Sequence, residues 1–307
     1  MKISTRPEKQ RLSILVSTAV LLAAVATLLR IICLVLFYDN EIGYYFSGAI
    51  LPIVSNTFYL LSIIALIAGA ILLRPEQEIS LPDKPSSLAA LLPAGALACH
   101  FIFLLIEANN LITELGADVF FDILFAKAVP GVRVTMLNII LLLLALISSA
   151  IASAFFISLS FSKHPSNLTI GLGCGLILWI SVVWMRSYVD FYVALNSPDK
   201  LFFHFACIGA ILFAVAELRA LYCISKPKTY WLSLLGAIFC LSVSTVSNII
   251  GSFTNIFAAY NVELENIVLF TMLIYASVRA VRLISDAEDA PEESEPENTA
   301  SNETDTQ

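Results

Sequence analysis

The chain has 307 residues, of which 59% are hydrophobic and 13% charged, and its formal net charge is −7. A soluble domain of this size carries about 25% charged residues, so the composition and a mean hydropathy of +0.87 exclude a soluble globular protein. They predict an all-α polytopic membrane protein, because helices satisfy their own backbone hydrogen bonds in lipid.

Eight stretches are apolar and long enough to span a bilayer, which takes roughly 20 helical residues. In chain order they are Leu12–Phe37, Ser47–Leu73, Leu88–Ile106, Val134–Phe161, Ile170–Ala194, Leu201–Ser225, Tyr230–Ser252 and Leu264–Ile284. We therefore predict a transmembrane helix bundle over residues 12–284. The first stretch exceeds the apolar core of a cleaved signal peptide, and no Ala-x-Ala site follows it.

Two features of the sequence bear on the number and the straightness of the predicted spans. Between the third and fourth lies "ADVFFDILFAKAV" (117–129), which is apolar enough for an interfacial helix, a re-entrant helix or a further span. Its length argues against spanning, and a further span would turn the C-terminus outward. Pro52 and Pro93 lie inside predicted spans, so we expect a kink at each.

Small and polar residues mark contacts between the later spans. Gly171 and Gly175 are four residues apart, which allows close approach of a second helix. Ser244, Asn248 and Ser252 recur at the same spacing further along the chain. Such a stripe is typical of hydrogen bonding between helices or of the wall of a polar cavity.

The distribution of Lys and Arg predicts the orientation. Eleven of these residues lie before the first span, in alternate connections or at the end of the last helix, and three lie in the opposite connections. The positive-inside rule then places both termini in the cytoplasm. Residues 1–11 are expected to form a cytoplasmic segment, and residues 285–307 a disordered acidic cytoplasmic tail with nine acids and no bases. The tail is either a solvated end or a docking segment for a basic protein partner.

Ionisable residues inside spans cost about 2.5–3.5 kcal/mol each on insertion scales, so each requires a physical reason. Six of them fall in the predicted outer half and one in the inner half. These candidate binding residues are Arg30, His100, Glu107, Arg186, Asp190 and His204, with Glu217 on the inner side.

Several pairings would satisfy these charges. Arg186 and Asp190 are one helical turn apart and can pair with each other. Arg30 would then pair with Glu107 or share Asp190. Glu217 needs a partner from another helix, and Arg279 lies at a compatible depth.

The outer-half charges have two interpretations. They form a charge-neutral structural network, or they line a vestibule that takes a small or anionic ligand from outside or carries protons. The six cysteines contain no CxxC spacing, and a metal site would require His100, His204 and an acid to converge from separate helices. We predict no metal site, no cofactor, no catalytic residues and no nucleic-acid binding.

Two segments carry a resemblance. "FYDNEIGYYFSG" (37–48) and "LNSPDKLFFHFACIGAILFAVAELRAL" (195–221) are similar to parts of uncharacterised multi-pass membrane proteins of anaerobic Gram-positive bacteria. There, an Asn-Ser-Pro-x-Lys turn precedes an apolar helix with Glu-x-Arg. The matching residues are Asn196, Ser197, Pro198, Lys200, Glu217 and Arg219. The resemblance implies a bacterial cytoplasmic membrane and transfers no activity.

Three functional hypotheses follow from these patterns. The first is a transporter or permease-like protein with a polar vestibule in the outer half of the bundle. The second is a non-transporting membrane sensor or interaction subunit. An intramembrane enzyme acting on lipid comes last, because no catalytic set supports it.

Overall fold

The computed structural model describes residues 5–39, 42–73, 79–127, 131–161, 166–189, 197–253 and 264–289. Of these described residues, 87% are helical. The helices are α1 (Thr5–Phe37), α2 (Ile50–Leu73), α3 (Lys84–Ala89), α4 (Leu91–Leu115), α5 (Ala117–Leu124), α6 (Met136–Phe161), α7 (Asn167–Val189), α8 (Pro198–Leu221), α9 (Pro227–Leu241), α10 (Ser247–Phe253) and α11 (Leu264–Asp289). A π-helical turn, Ser242–Val246, joins α9 to α10.

Within the described residues, eight helical segments are long and apolar enough to cross a membrane, which confirms the predicted all-α bundle of eight spans. The protein is an integral multi-pass membrane protein. The third span is longer than predicted, because α3 and α4 together cover Lys84–Leu115. At the termini, α1 already begins at Thr5, and α11 continues to Asp289, so residues 285–289 are helical rather than disordered. Residues 290–307 of the predicted tail lie outside the described residues.

Side-chain contacts show that the spans alternate in direction. Arg30, near the end of α1, meets Asp199 at the start of α8 and Asn248 near the end of the seventh span. At the other end, Arg282 near the end of α11 meets Asp83 just before α3. We call the end where α1 begins and α11 finishes the proximal end, and the other the distal end.

The connection between α4 and α6 does not cross the membrane. Gly116 ends α4 with a φ of 81°, a backbone conformation that glycine adopts without steric cost. The following helix, α5, has eight residues and extends about 12 Å, which is too short to span. It packs against α4 and α6 at the distal end.

The two predicted proline kinks have different outcomes. Pro93 is the third residue of α4, and its missing N–H leaves the carbonyl of Ala89 free where α3 ends, so the helix breaks there. For Pro52 the prediction is wrong. It is the third residue of α2, where the backbone N–H would have no intrahelical partner, so no helical turn precedes it that it could kink.

Two short strands close the connection between α1 and α2. Tyr38–Asp39 (β1) pairs antiparallel with Tyr44–Tyr45 (β2). This hairpin lies at the distal end and brings the hydroxyl of Tyr38 onto the start of α8. The hairpin therefore supplies a side-chain contact to Asp199 at the start of α8.

Candidate functional site

Arg30 on α1 is a fully buried charge in the distal half. Its relative exposure is 0%, its Nη2 donates to Asn248 Oδ1 at 2.7 Å, and its Cζ lies 3.8 Å from the centroid of the Phe202 ring. Its Nε and Nη1 have no hydrogen-bond partner among the residues that the structure describes. Buried donors are normally satisfied, because each unsatisfied group costs about 1–3 kcal/mol.

Asp199 supplies the opposite charge. Its Oδ1 lies 3.6 Å from Arg30 Nη2, and its Oδ2 accepts a hydrogen bond from the Tyr38 hydroxyl. Asp199 is the second residue of α8, which Ser197 caps by accepting from the backbone N–H of Lys200, and Pro198 occupies the first helical position. The cap and proline thus fix the start of α8 so that Asp199 faces α1.

Asn248 is placed by the π-helical turn that precedes α10. Turns of this kind insert an extra residue into a helix, change its register and often occur at functional sites. Because Arg30 only donates, Asn248 must present its Oδ1 to it, and its Nδ2 then donates to Asn266 Oδ1 at 3.3 Å. Arg30, Asp199, Asn248 and Asn266, which come from four spans, form what we call the Arg30 cluster.

A second distal cluster centres on His100 of α4, which is 1% exposed. Trp179 Nε1 donates to His100 Nδ1 at 3.1 Å, and His100 Nε2 lies 3.1 Å from Glu265 Oε1. An indole N–H can only donate, so His100 Nδ1 accepts and the ring proton lies on Nε2, facing the carboxylate. Both ring nitrogens are therefore satisfied.

Arg186 pairs with Glu107 across α7 and α4. Its Nη2 lies 2.7 Å from Glu107 Oε1, and the two side chains are 25% and 40% exposed. The predicted pairing of Arg30 with Glu107 is therefore wrong. Asp190, the predicted partner of Arg186 on its own helix, lies outside the described residues.

His204 on α8 does not join His100. Its Nε2 lies 3.0 Å from Ser187 Oγ, and its ring stacks on Tyr188 with centroids 4.4 Å apart. Across the described ranges, no group of three or more His, Cys, Asp or Glu side chains is arranged to hold a metal ion.

Glu217 belongs to the proximal half, separate from the other candidates. Its carboxylate accepts from Tyr230 at 2.5 Å and Tyr275 at 2.7 Å, and Arg279 Nε lies 3.1 Å away. Arg279 also donates to the carbonyl of Ser80 at 3.0 Å. The predicted partnership of Glu217 with Arg279 is confirmed, and a carboxylate held by three side chains from two other helices is typical of a structural pair.

Sequence reasoning missed two acids of the distal half. Asp199 stands in a turn motif, "NSPDK", and its charge belongs there to a connection rather than to a span. Glu265 is the second residue of α11 and marks the edge of an apolar run. Asn248 did carry a signal, as a member of the polar stripe whose residues recur every four positions.

No protein-family model, curated protein or solved structure matches this chain. The function is therefore inferred from the chemistry of the site.

Proposed function

We propose that this protein is a transporter or permease-like protein that binds an anionic ligand at Arg30. The observation that carries the proposal is the incomplete hydrogen bonding of a wholly buried guanidinium. Arg279, which is also buried, has one nitrogen without a hydrogen bond, Nε, but that nitrogen lies 3.1 Å from the Glu217 carboxylate, and Nη2 donates to a backbone carbonyl. Arg30 has an acid at 3.6 Å and two nitrogens that remain to donate to a ligand.

The chemistry of the Arg30 cluster suits an anion. A guanidinium presents several N–H donors in one plane and matches carboxylate and phosphate oxygens. Asp199 balances its charge in the absence of a ligand, and an arriving anion would compete with that carboxylate for the same donors. Such an exchange lets a buried charge bind a ligand and release it again.

The backbone beside the cluster supports a transport role. Substrate sites in many transporters are formed where a spanning helix is interrupted near the binding residues. Here the seventh span changes from α-helical to π-helical over Ser242–Val246, two residues before Asn248, which contacts Arg30. A residue of the Arg30 cluster thus lies next to an interruption of a spanning helix.

For location, we propose a bacterial cytoplasmic membrane with both termini in the cytoplasm and the Arg30 cluster toward the outside. The excess of Lys and Arg in the proximal connections supports this orientation. The resemblance of residues 37–48 and 195–221 to bacterial multi-pass proteins supports the proposed bacterial cytoplasmic membrane.

The alternative is a membrane sensor or interaction subunit, and one observation favours it. The single helix α11 carries Glu265 and Asn266 in the distal clusters, then Arg279 and Arg282 at the proximal end. A change at the distal end would reach residues 290–307 through this helix. The acidic tail would then be the segment that meets a protein partner.

The binding step is tested by thermal unfolding of the full-length protein in detergent. Inorganic phosphate and acetate are compared with chloride at equal ionic strength. We expect at least one test anion to raise the Tm of wild type but not of Arg30→Gln. Asp199→Asn should bind it more tightly, because the competing carboxylate is neutralised while an oxygen remains for Tyr38. The control is Arg282→Gln, which changes the proximal ion pair with Asp83 and should keep the wild-type shift.

A shift that persists in Arg30→Gln would overturn the assignment of the site. Uptake of the stabilising anion into sealed vesicles then separates the two roles. Uptake that depends on Arg30 supports a transporter, whereas binding without uptake supports the sensor.

A further inference from the structure

An apolar groove of about 290 Å³ lies between α2, α8 and α9, next to the Arg30 cluster. Its lining includes Leu60 and Ile63 of α2, Leu201 and Phe205 of α8, and Phe239 of α9. All of these residues belong to membrane-spanning segments. Leu60 and Leu201, on opposite sides of the groove, are 59% and 44% exposed, so the groove opens toward lipid rather than toward the bundle interior.

The groove and the Arg30 cluster share a wall. Phe202 lines the groove, and the Arg30 guanidinium lies over its ring at 3.8 Å. Tyr59 also lines the groove and meets Phe202 edge-on, with ring centroids 5.0 Å apart. Two aromatic rings therefore separate a hydrocarbon-lined space from a buried cation with unsatisfied donors.

The groove and Arg30 favour different chemical groups in a ligand. The groove favours hydrocarbon, because apolar surface in contact with apolar side chains needs no polar partner. Arg30 favours oxygen atoms that carry negative charge. Since Arg30 itself is 0% exposed, a ligand that reaches it along the groove wall must pass apolar side chains first. A small water-soluble anion matches only one of these two surfaces.

We infer that the ligand of Arg30 is an anionic membrane lipid, whose hydrocarbon chain occupies the groove and whose charged headgroup reaches the guanidinium past the edge between Tyr59 and Phe202. The inference rests on the proposed function, because it specifies the class of anion that binds at Arg30. It also gives the ligand a route of entry from the side, through the opening between α2 and α8.

The test uses three related probes on the full-length protein in a neutral detergent, with bound lipid counted by native mass spectrometry. Phosphatidic acid carries both charge and chains, diacylglycerol the chains alone, and glycerol phosphate the charged group alone. Leu60→Trp fills the groove. Leu61→Trp is the matched control, because Leu61 is the adjacent residue, is 58% exposed and does not line the groove.

We expect wild type and Leu61→Trp to bind one phosphatidic acid with equal affinity. Leu60→Trp and Arg30→Gln should each bind it about tenfold more weakly, since each loses contacts worth roughly one factor of ten. Diacylglycerol and glycerol phosphate should both bind wild type more weakly than phosphatidic acid does. If Arg30→Gln does not fold, Arg30→Lys replaces it, because lysine keeps the charge and loses the planar set of donors.

Three results would overturn the inference. Equal affinity of wild type for diacylglycerol and phosphatidic acid would show that the charge does not matter. Phosphatidic acid binding that is unchanged in Leu60→Trp would remove the groove from the site. Glycerol phosphate binding that is as tight as phosphatidic acid binding in wild type and is lost in Arg30→Gln would leave the proposed anion site intact and make its ligand water-soluble. If no probe shows dependence on Arg30, the proposed function fails as well.

Discussion

Glu265 and Asn266 are consecutive residues of α11, and their side chains join two different polar clusters. Glu265 Oε1 lies 3.1 Å from His100 Nε2, whereas Asn266 Oδ1 accepts from Asn248 Nδ2, whose own oxygen faces Arg30. The two clusters are therefore contiguous across the distal half of the bundle. The first turn of α11 fixes their relative position.

The orientation of Asn248 gives a directional test of the anion site. Asn248→Asp would place a second carboxylate 2.7 Å from Arg30 Nη2, while the Asn266 amide can rotate to donate to it. We expect anion affinity to fall by about tenfold or more, since a charge-assisted hydrogen bond is worth about 1.5–3 kcal/mol. Isothermal titration with the stabilising anion measures the change. An unchanged or tighter affinity would contradict binding at Arg30.

The proximal pair of Glu217 and Arg279 should behave as a structural unit. Glu217→Leu leaves the Arg279 guanidinium buried without its carboxylate, which we expect to cost about 3–5 kcal/mol. The double variant Glu217→Leu/Arg279→Leu should recover part of that loss, because no unpaired charge remains. Denaturation of both variants in detergent gives the comparison. Equal loss in the single and double variants would show that the two residues are not coupled.

The number of spans and the gathering of charges in one half could be predicted from hydropathy and the alternation of connections. The residues with which these charges pair could not be predicted in this way. Arg30 pairs with Asp199, which is 169 positions away and stands in a turn motif, because packing of α1 against the seventh span and the hairpin carrying Tyr38 bring them together. Periodicity along one helix shows which residues share a face, but which neighbour covers that face is decided by tertiary packing.

Asp83 should make stability depend on pH at the acid end. Burial alone raises its pKa, but hydrogen bonds from Ser86 and Arg282 and the charge of Arg282 outweigh burial and lower the pKa below the ordinary value. The folded state then binds fewer protons than the unfolded state, so this contribution is present above the ordinary pKa of about 3.9 and is lost as pH falls through the lower folded value.

The matched variant for this effect is Asp83→Asn, which keeps an oxygen for the backbone N–H of Ser86 at the start of α3. Between about pH 5 and pH 3, we expect the Tm of wild type to fall more steeply than that of the variant. Thermal unfolding at several pH values measures the two slopes. Parallel curves would show that the Asp83 carboxylate carries no pH-dependent stability.

Close packing of α6 and α7 depends on one of the two glycines in the predicted motif. A Cβ at Gly175 would lie 2.3 Å from Ile151 Cγ2, whereas a Cβ at Gly171 would meet nothing within 4 Å. Gly175→Ala should therefore destabilise the protein by about 1–3 kcal/mol through overpacking. Gly171→Ala is the control and should be neutral or slightly stabilising, since alanine favours helix by up to about 1 kcal/mol. Similar Tm values for both variants would contradict this contact.

Cys223 offers a test of orientation at a label site that the chain already contains. It is exposed in the turn between α8 and α9 at the proximal end, whereas the other five cysteines lie in spanning helices. If the proximal end faces the cytoplasm, a membrane-impermeant maleimide should label Cys223 only after the cells are permeabilised. The control is Cys223→Ser/Lys127→Cys, because Lys127 is 67% exposed at the distal end and should be labelled in intact cells. The reverse pattern would place the Arg30 cluster on the cytoplasmic side, and a ligand from outside could then reach it only through the membrane.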